Sequence, residues 1–437
     1  LSSKLPAVQR ATFTSVLAEP RFRILFGCRS LAIVADTLRI VALSILIFAT
    51  TGSPLLAALT FGIGFAPQAI GGLLFGALSD RIRPRLLISA GYAAECVSAA
   101  ILAFTEPPVW LMLVIIAVVA CMTPVFMGAV NRLVSEVLTG DRYILGRSLW
   151  TTAASLAQLL GLTAGGVAAT TLGPRTALAV SAGLHLTAFV VTRLRLPDFA
   201  APATESASVL RQTMKVNRAL FATKPIRQLL LAHWLPPAFA VGAESLIVVY
   251  VQVRGLPASY AGVLLACIPV GMIIGNLVVA RLLVPGPRLA APLVVLVGLP
   301  FVVFAANPHP VLLCALAVVT GTGFSYTLGI QKAFLAVVPA DGRGQAFGLL
   351  STGMQTLQGI GPACFGALAE IIHPSTAIAA AGGATVLTAL WLWLGMRGGL
   401  ELVETGSSGD QQGPVPQQTG LLAGGHLGDD RTEKRHA

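Results

Sequence analysis

The sequence predicts an all-α membrane protein with twelve transmembrane helices in two pseudo-symmetric six-helix bundles. Three observations carry this prediction: a composition too apolar for water, basic residues confined to alternate connections, and a repeat that returns after 200 residues. Of the 437 residues 55% are hydrophobic and 11% charged, and the mean hydropathy is +0.81. A soluble domain carries about 25% charged residues, so water is not the main solvent of this chain. A spanning helix needs about 20 apolar residues, and the chain is long enough for twelve with short connections and one longer linker.

Cutting at Pro, Gly and charge clusters places the spans at 23–50, 54–79, 86–104, 109–131, 147–172, 176–196, 226–251, 258–284, 289–305, 310–335, 344–372 and 375–397. With the N-terminus inside, 25 of the 29 Lys and Arg residues fall in inner connections or at the termini. Outer connections hold only Arg175 and Arg254, while Arg29 and Arg39 lie within the first span. This alternation obeys the positive-inside rule at every loop pair and predicts a multi-pass protein of the cell membrane with both termini cytoplasmic. It also accounts for the net charge of +11 through topology and anionic lipid, so no nucleic-acid partner is expected.

The segments then read as a cytoplasmic N-terminal piece 1–22, a bundle 23–196, a linker 197–225, a second bundle 226–397 and a tail 398–437. The first twenty residues lack the apolar core of a cleavable signal peptide. In the linker, Val209, Leu210, Met214, Val216, Leu220 and Phe221 alternate with Arg211, Lys215 and Arg218, the pattern of a short amphipathic helix on a membrane surface. The Gly-, Gln- and Pro-rich tail cannot bury a core and is expected to be disordered. Six cysteines at 28, 96, 121, 267, 314 and 364 lie in apolar runs without paired spacing, against both a disulfide framework and a metal site.

Shifted by 200 residues, the chain matches itself positionally. Asn131-Arg132 meets Gln331-Lys332, Asp141 meets Asp341, Gln158 meets Gln358, Gly161 meets Gly361, Gly166 meets Gly366, and Gly71 meets Gly271. Six spans agree on one shift, as a duplicated six-helix unit requires. Parallel repeats of this kind place a path between the halves near the midplane and let them rock about it. Gly72 and Gly76, Gly161 and Gly165, and Gly271 and Gly275 are each spaced by four, a stripe that allows close backbone approach.

After the second span the chain reads Gly76-Ala77-Leu78-Ser79-Asp80-Arg81-Ile82-Arg83-Pro84-Arg85. This resembles the G-x-L-[AS]-D-R-x-x-R-R signature of the major facilitator superfamily, at the position where that family carries it. Pro84 replaces one basic residue of the pattern, and Ala280 stands opposite Asp80 in the second half. The resemblance implies the major facilitator fold and an inner latch, with the acid at the start of the eleventh span. Its basic residues would meet the inner end of the fourth span, where Glu136 or Asp141 is the natural partner. Gln158, Gly161, Leu162, Gly165 and Gly166 in the fifth span resemble the G-x-x-x-G-P-x-x-G-G motif of drug/proton antiporters. Leu162 takes the place of the proline, while Gly361-Pro362 in the eleventh span retains the Gly-Pro pair. Asp36 in the first span, followed by Thr51-Gly52-Ser53, is similar to the branch that contains macrolide efflux proteins and the enterobactin exporter.

Each ionisable group at membrane depth costs about 2.5–3.5 kcal/mol on insertion scales and so requires a reason. Asp36 and Arg39 are three residues apart on one helical face, and Arg29 lies seven residues before Asp36, about 10 Å along the axis. The group is either a proton or cationic-substrate site or a structural ion pair; which one turns on whether desolvation of the Asp36 carboxylate outweighs Arg39. Glu95 and Glu244 have no basic partner nearby in sequence and are the alternative proton carriers, Glu95 with the competing reading of a pair with a loop Arg. Pro236-Pro237 predicts a break or kink before Glu244. Gln68, His185, His233, Trp234, Tyr326, Gln355 and Gln358 are further polar groups able to line a path.

No phosphate-cradling loop, nucleophile constellation or metal-ligand spacing is found, so no catalytic residues, metal or cofactor are expected. The expected function is export of a small amphipathic molecule, an antibiotic or a siderophore-like compound, by alternating access in exchange for protons, by a monomer. Uptake of a nutrient on the same fold is the first rival, marked by a dense hydrogen-bonding pocket. A receptor or scaffold without transport is the second.

Overall fold

The computed structural model describes residues 12–75, 82–198, 217–282, 289–338 and 343–397. Sixteen α-helices are numbered in chain order: α1 Phe13–Leu17, α2 Pro20–Thr51, α3 Pro54–Gly62, α4 Ala66–Phe75, α5 Pro84–Phe104, α6 Val109–Val137, α7 Asp141–Thr171, α8 Pro174–Arg195, α9 Lys224–Ser245, α10 Ile247–Val253, α11 Ser259–Leu282, α12 Ala290–Val303, α13 Pro310–Gly323, α14 Tyr326–Val337, α15 Arg343–Ala369 and α16 Pro374–Arg397. No strand occurs among the described residues.

Proline opens many of these helices. Pro20, Pro54, Pro84, Pro174 and Pro310 stand in the first turn, where the missing N–H costs no helical bond and the fixed φ is already helical. At the other end of α2, Gly52 adopts φ 68° and its N–H bonds Phe48 O at 2.8 Å, a left-handed cap that a side chain would strain.

Ten of the helical segments are long and apolar enough to cross a membrane. They include α3 with α4, α9 with α10, and α13 with α14 taken as interrupted single spans. The segment Ala290–Ala306 is apolar but shorter, and α15 is 27 residues long but carries Gln345, Ser351, Thr352, Gln355, Thr356 and Gln358. Each of the twelve expected spans thus overlaps a helical segment among the described residues, and ten of those segments are long and apolar enough to cross a membrane.

The helices run further than the sequence pattern implied around residues 132–146. The fourth span continues to Val137 and the fifth begins at Asp141, so only Leu138, Thr139 and Gly140 connect them. The prolines of the seventh span also behave differently from expectation. The helix α9 passes through Pro236 and Pro237, and the interruption falls at Leu246, just after Glu244. A proline removes one helical bond but does not end a helix when its neighbours hold the backbone.

Lipid as the outer solvent is legible in the exposed side chains. Val97, Val114 and Val118, Leu160, Leu194 and Leu387 are all exposed, an apolar exterior that a water-soluble monomer avoids. The inner faces are built from alanine and glycine instead, because association in lipid depends on close van der Waals packing. The 200-residue repeat reappears as paired contacts. A Cβ on Gly71 would collide with the backbone of Cys121, and one on Gly271 would stand 2.9 Å from Cα of Gly321. Likewise Gly161 lies against Val34 and Thr37 of α2, and Gly361 against Ala238 of α9.

The same offset governs how the halves meet. A Cβ on Gly62 of α3 would lie 3.2 Å from Cβ of Pro362 of α15, and Gly262 of α11 faces Leu162 and Gly166 of α7. Leu162 thus occupies the contact that Pro362 fills on the other side. At the end of the seam, expected to face outward, the Glu370 carboxylate accepts hydrogen bonds from Ser53 Oγ and from the Leu55 N–H, the latter at 3.0 Å. Near the middle, Gln355 Nε2 donates to Gln68 Oε1 at 2.9 Å.

Candidate functional site

The ionisable groups of the first half converge on one place. On α2, Arg39 bonds Asp36 at 3.2 Å one turn earlier and also bonds Glu95 of α5. A third donor bond runs from Arg39 Nη1 to Ser98 Oγ at 3.1 Å. Arg39 is only 7% exposed, so these partners stand in for its hydration. Without them a buried guanidinium would not be tolerated.

Asp36 has two further neighbours. His185 of α8 places Nε2 at 3.2 Å from Asp36 Oδ1 and Nδ1 at 3.0 Å from Ser181 O. Arg29 stands 3.9 Å from Asp36 Oδ2, an electrostatic contact without a hydrogen bond. Ser181 Oγ also donates to Ala35 O at 2.9 Å, so two residues one turn apart on α8 grip α2 beside the acid.

A cavity of about 230 Å³ opens on this network. Its charged and polar lining comes from Arg29, Asp36, Arg39, Glu95 and His185, with Gln68, Tyr92 and Thr123, and its apolar lining includes Phe65, Phe126 and Met127. Gly64 and Phe65 reach it because α3 and α4 are separated by a non-helical step. Irregular backbone at membrane depth is tolerated where it lines such a space. A second, more open groove touches Arg29, Ile33, Asp36 and Thr37 of α2 and Thr151, Ala154, Ser155 and Gln158 of α7. Thr151, Ser155 and Gln158 precede Leu162 by eleven, seven and four residues, hence share its helical face. Since Leu162 touches the other half, the groove faces the seam. Asp36 and Arg29 border both spaces.

Asp36, Glu95 and His185 present ligand atoms within 4.8 Å of one another, although no metal site was expected. Arg39 bonds both carboxylates, so the cation that this trio would otherwise attract is supplied by the chain.

Among the remaining sequence candidates, Glu95 is paired, with Arg39 of a span and not with a loop residue. Glu244 is half-buried on α9 and has no hydrogen bond or ion pair among the described residues. His233 bonds Leu229 O at 2.9 Å within its own helix and packs edge-on against Phe334. Trp234 donates to Leu350 O at 2.8 Å and stacks on Phe221. Both are buried as packing groups and line neither space. Tyr326 is 1% exposed, with its hydroxyl unbonded among the described residues. Gln358 is half-buried on α15.

Of the loop motif, Gly76, Asp80 and Arg81 lie outside the described residues, as do most of the linker and the whole tail. Arg83 pairs with Asp198 at 2.9 Å, and Arg85 donates to Arg193 O at the end of α8. These two basic residues therefore reach the end of the sixth span and the start of the linker, and not Glu136 or Asp141. Glu136 is 3.4 Å from Arg132 on its own helix, and Asp141 sits in the first turn of α7, where its charge meets the positive end of the helix dipole. Gly165 packs on Leu38 and Gly166 on Gly262.

Sequence reading named His185 only as one of several path-lining groups and missed Ser98, Ser181 and Glu370. A buried histidine in an apolar span was the available signal for the first. Serines and a span-end glutamate carry no pattern that distinguishes them from ordinary polar residues.

Comparison with solved structures identifies the same fold in proteins of distant sequence. A POT family transporter in complex with 5-aminolevulinic acid superposes with a TM-score of 0.72 at 10% identity, covering 88% of this chain and 97% of that one. The nucleoside transporter NupG superposes at 0.70 with 14% identity, covering 85% and 98%. A peptide transporter POT superposes at 0.69 with 16% identity, covering 85% and 93%. No curated protein matches the sequence. The family model of the Major Facilitator Superfamily matches residues 25–306. That match spans both sides of the linker and more than half of the chain, with the charged cluster inside it; this transporter chain therefore belongs to the Major Facilitator Superfamily.

Proposed function

We propose that the chain is a twelve-span secondary transporter of the cell membrane that exports a small amphipathic molecule by alternating access in exchange for protons. The observation that carries this reading is the Asp36, Arg39, Glu95 and His185 network beside a cavity and a seam-facing groove. Ionisable groups at this depth are expensive and mark ion pathways. The resemblance of the fifth-span glycines to the antiporter motif favours export.

Alternating access needs a seam that can part. The contacts Gly62 to Pro362, Gly262 to Leu162 and Ser53 to Glu370 are small-residue and single-carboxylate contacts, suited to opening and closing as units. Inward proton movement supplies about 2.3 kcal/mol per 100 mV for each charge.

The polar lining of the cavity favours a second reading. Five ionisable side chains with Gln68, Tyr92 and Thr123 form a denser set of hydrogen-bonding groups than the composition of the spans suggests, as uptake of a polar solute would require. Structures of the same fold include nucleoside and peptide transporters.

Purified protein in liposomes containing a pH-sensitive dye separates these readings. Export by exchange predicts that a macrolide, tetracycline, fluoroquinolone or catecholate siderophore discharges an imposed proton gradient. Uptake predicts counterflow of a labelled nucleoside or dipeptide. Neither response, with a cell phenotype unchanged by Asp36→Asn, Glu95→Gln and Glu244→Gln together, rejects transport in favour of a receptor.

A further inference from the structure

We propose that Asp36 and His185 hold one proton between them, so that the proton site of this transporter is a two-residue unit joining α2 to α8. The inference rests on the proton-coupled reading above and adds His185 as the partner.

Hydrogen-bond valence carries the argument. Nδ1 of His185 faces the Ser181 carbonyl at 3.0 Å, and a carbonyl oxygen only accepts, so Nδ1 bears a hydrogen. Nε2 faces Asp36 Oδ1 at 3.2 Å. Were the imidazole neutral and Asp36 ionised, two lone pairs would meet across that contact. A proton resolves it in either of two forms: an imidazolium donating from both nitrogens to a carboxylate, or an Nδ1–H imidazole accepting from a carboxylic acid. Both forms place one proton on the pair. His185 is wholly buried, so water cannot substitute for the missing donor at Nε2.

Charge balance makes the same proton the removable one. Arg29 and Arg39 of α2 bring two positive charges and Glu95 of α5 one negative. Tyr92 of α5 lines the same cavity as a neutral phenol, while α3, α4 and α6 contribute only uncharged groups such as Thr60, Gln68 and Thr123. With its proton the Asp36 and His185 pair adds no charge, and the cluster carries one net positive charge. Loss of the proton leaves the cluster neutral but removes the hydrogen bond between His185 and Asp36, leaving that of Ser181 to Ala35 between α8 and α2. Geometry holds the proton while electrostatics favours its release, the condition for a site that exchanges it. Asp36 borders the seam-facing groove, the route by which the proton reaches it.

The test uses full-length protein in lipid vesicles, labelled with 15N-histidine and 13C-aspartate, observed by solid-state NMR at about pH 7, near where an unperturbed imidazole titrates. Loss of one histidine signal set in His185→Gln assigns the residue. The expected result is either a doubly protonated ring beside an ionised Asp36 or an Nδ1–H ring beside a protonated Asp36. In Asp36→Asn the ring is expected as the neutral Nδ1–H tautomer, since the amide donates to Nε2. A neutral His185 beside an ionised Asp36 overturns the proposal, and so does an imidazolium that persists in Asp36→Asn. Proton flux in the dye-loaded liposomes is scored separately. Flux with no proton on the pair rejects the pair and leaves transport standing; a proton on the pair without flux from any compound does the reverse.

Discussion

The two halves of the chain share helix contacts at a constant offset, yet they treat the space between their third and sixth spans in opposite ways. In the first half that space holds Glu95 and Ser98 facing Arg39, with Ser181 and His185 on the neighbouring helix. Two hundred residues on, Arg29, Asp36, Arg39, Glu95, Ser98 and His185 are replaced by Leu229, Pro236, Phe239, Val295, Gly298 and Thr385. A Cβ on Gly298 would lie 2.6 Å from Gly382 O and 2.7 Å from Cβ of Thr385, so α12 and α16 touch there through backbone. One half joins its helices by charge and hydrogen bonds, the other by contact. The scaffold is present twice, and among the described residues only the first copy carries a bonded cluster of ionisable groups at this place. The second half retains a single acid at comparable depth, Glu244, without a bonded partner among the described residues.

The largest effect is expected from Arg39→Met. It leaves Asp36 and Glu95 without their shared cation, and breaking a buried pair costs about 3–5 kcal/mol. A fall in thermal stability, largely restored by adding Asp36→Asn and Glu95→Gln, checks it; an unchanged melting temperature would show that the first half does not depend on its charges. Next comes Gly298→Leu, which drives a side chain into the α16 backbone at an expected cost of about 1–3 kcal/mol for overpacking. At the matching position Ser98→Ala removes a hydrogen bond to Arg39 without adding bulk, at an expected cost of about 0.5–1.5 kcal/mol, and a stability loss in Ser98→Ala with none in Gly298→Leu would erase the contrast between the halves.

Glu370→Ala removes the acceptor that joins α15 to the start of α3. The site is exposed, where single ionic contacts contribute about 0.2–1 kcal/mol, so a shift of a few-fold in the population with that end open is expected. Spin labels at Thr51 and Ile371 would report it as a longer distance. Glu244→Gln carries the smallest structural effect, since no bond is lost. Stability is expected to hold while proton flux tests the residue directly: flux retained in Glu244→Gln and abolished in Asp36→Asn assigns coupling to the first half.

Much of the architecture was legible in the chain because the bilayer imposes its rules locally. Span length and proline at helix starts are each decided within about 20 residues. The repeat was legible because Gly71 and Gly271, or Gly161 and Gly361, keep positions where a Cβ would collide. Local rules were weaker where helices compensate for one another: α9 continues through Pro236 and Pro237, and Arg83 chooses Asp198 over the nearer expected acids.

By itself the sequence determined that this chain is helical and apolar enough to live in lipid, and that Asp36 and Arg39 share a face. Only the tertiary structure decided that Glu95 completes their ion pair, that His185 closes on Asp36, and that Glu370 caps the opposite helix. Those partners lie 56, 149 and 317 residues apart along the chain. Helical periodicity relates side chains within a few turns, whereas contacts between spans are set by packing, which no single segment encodes.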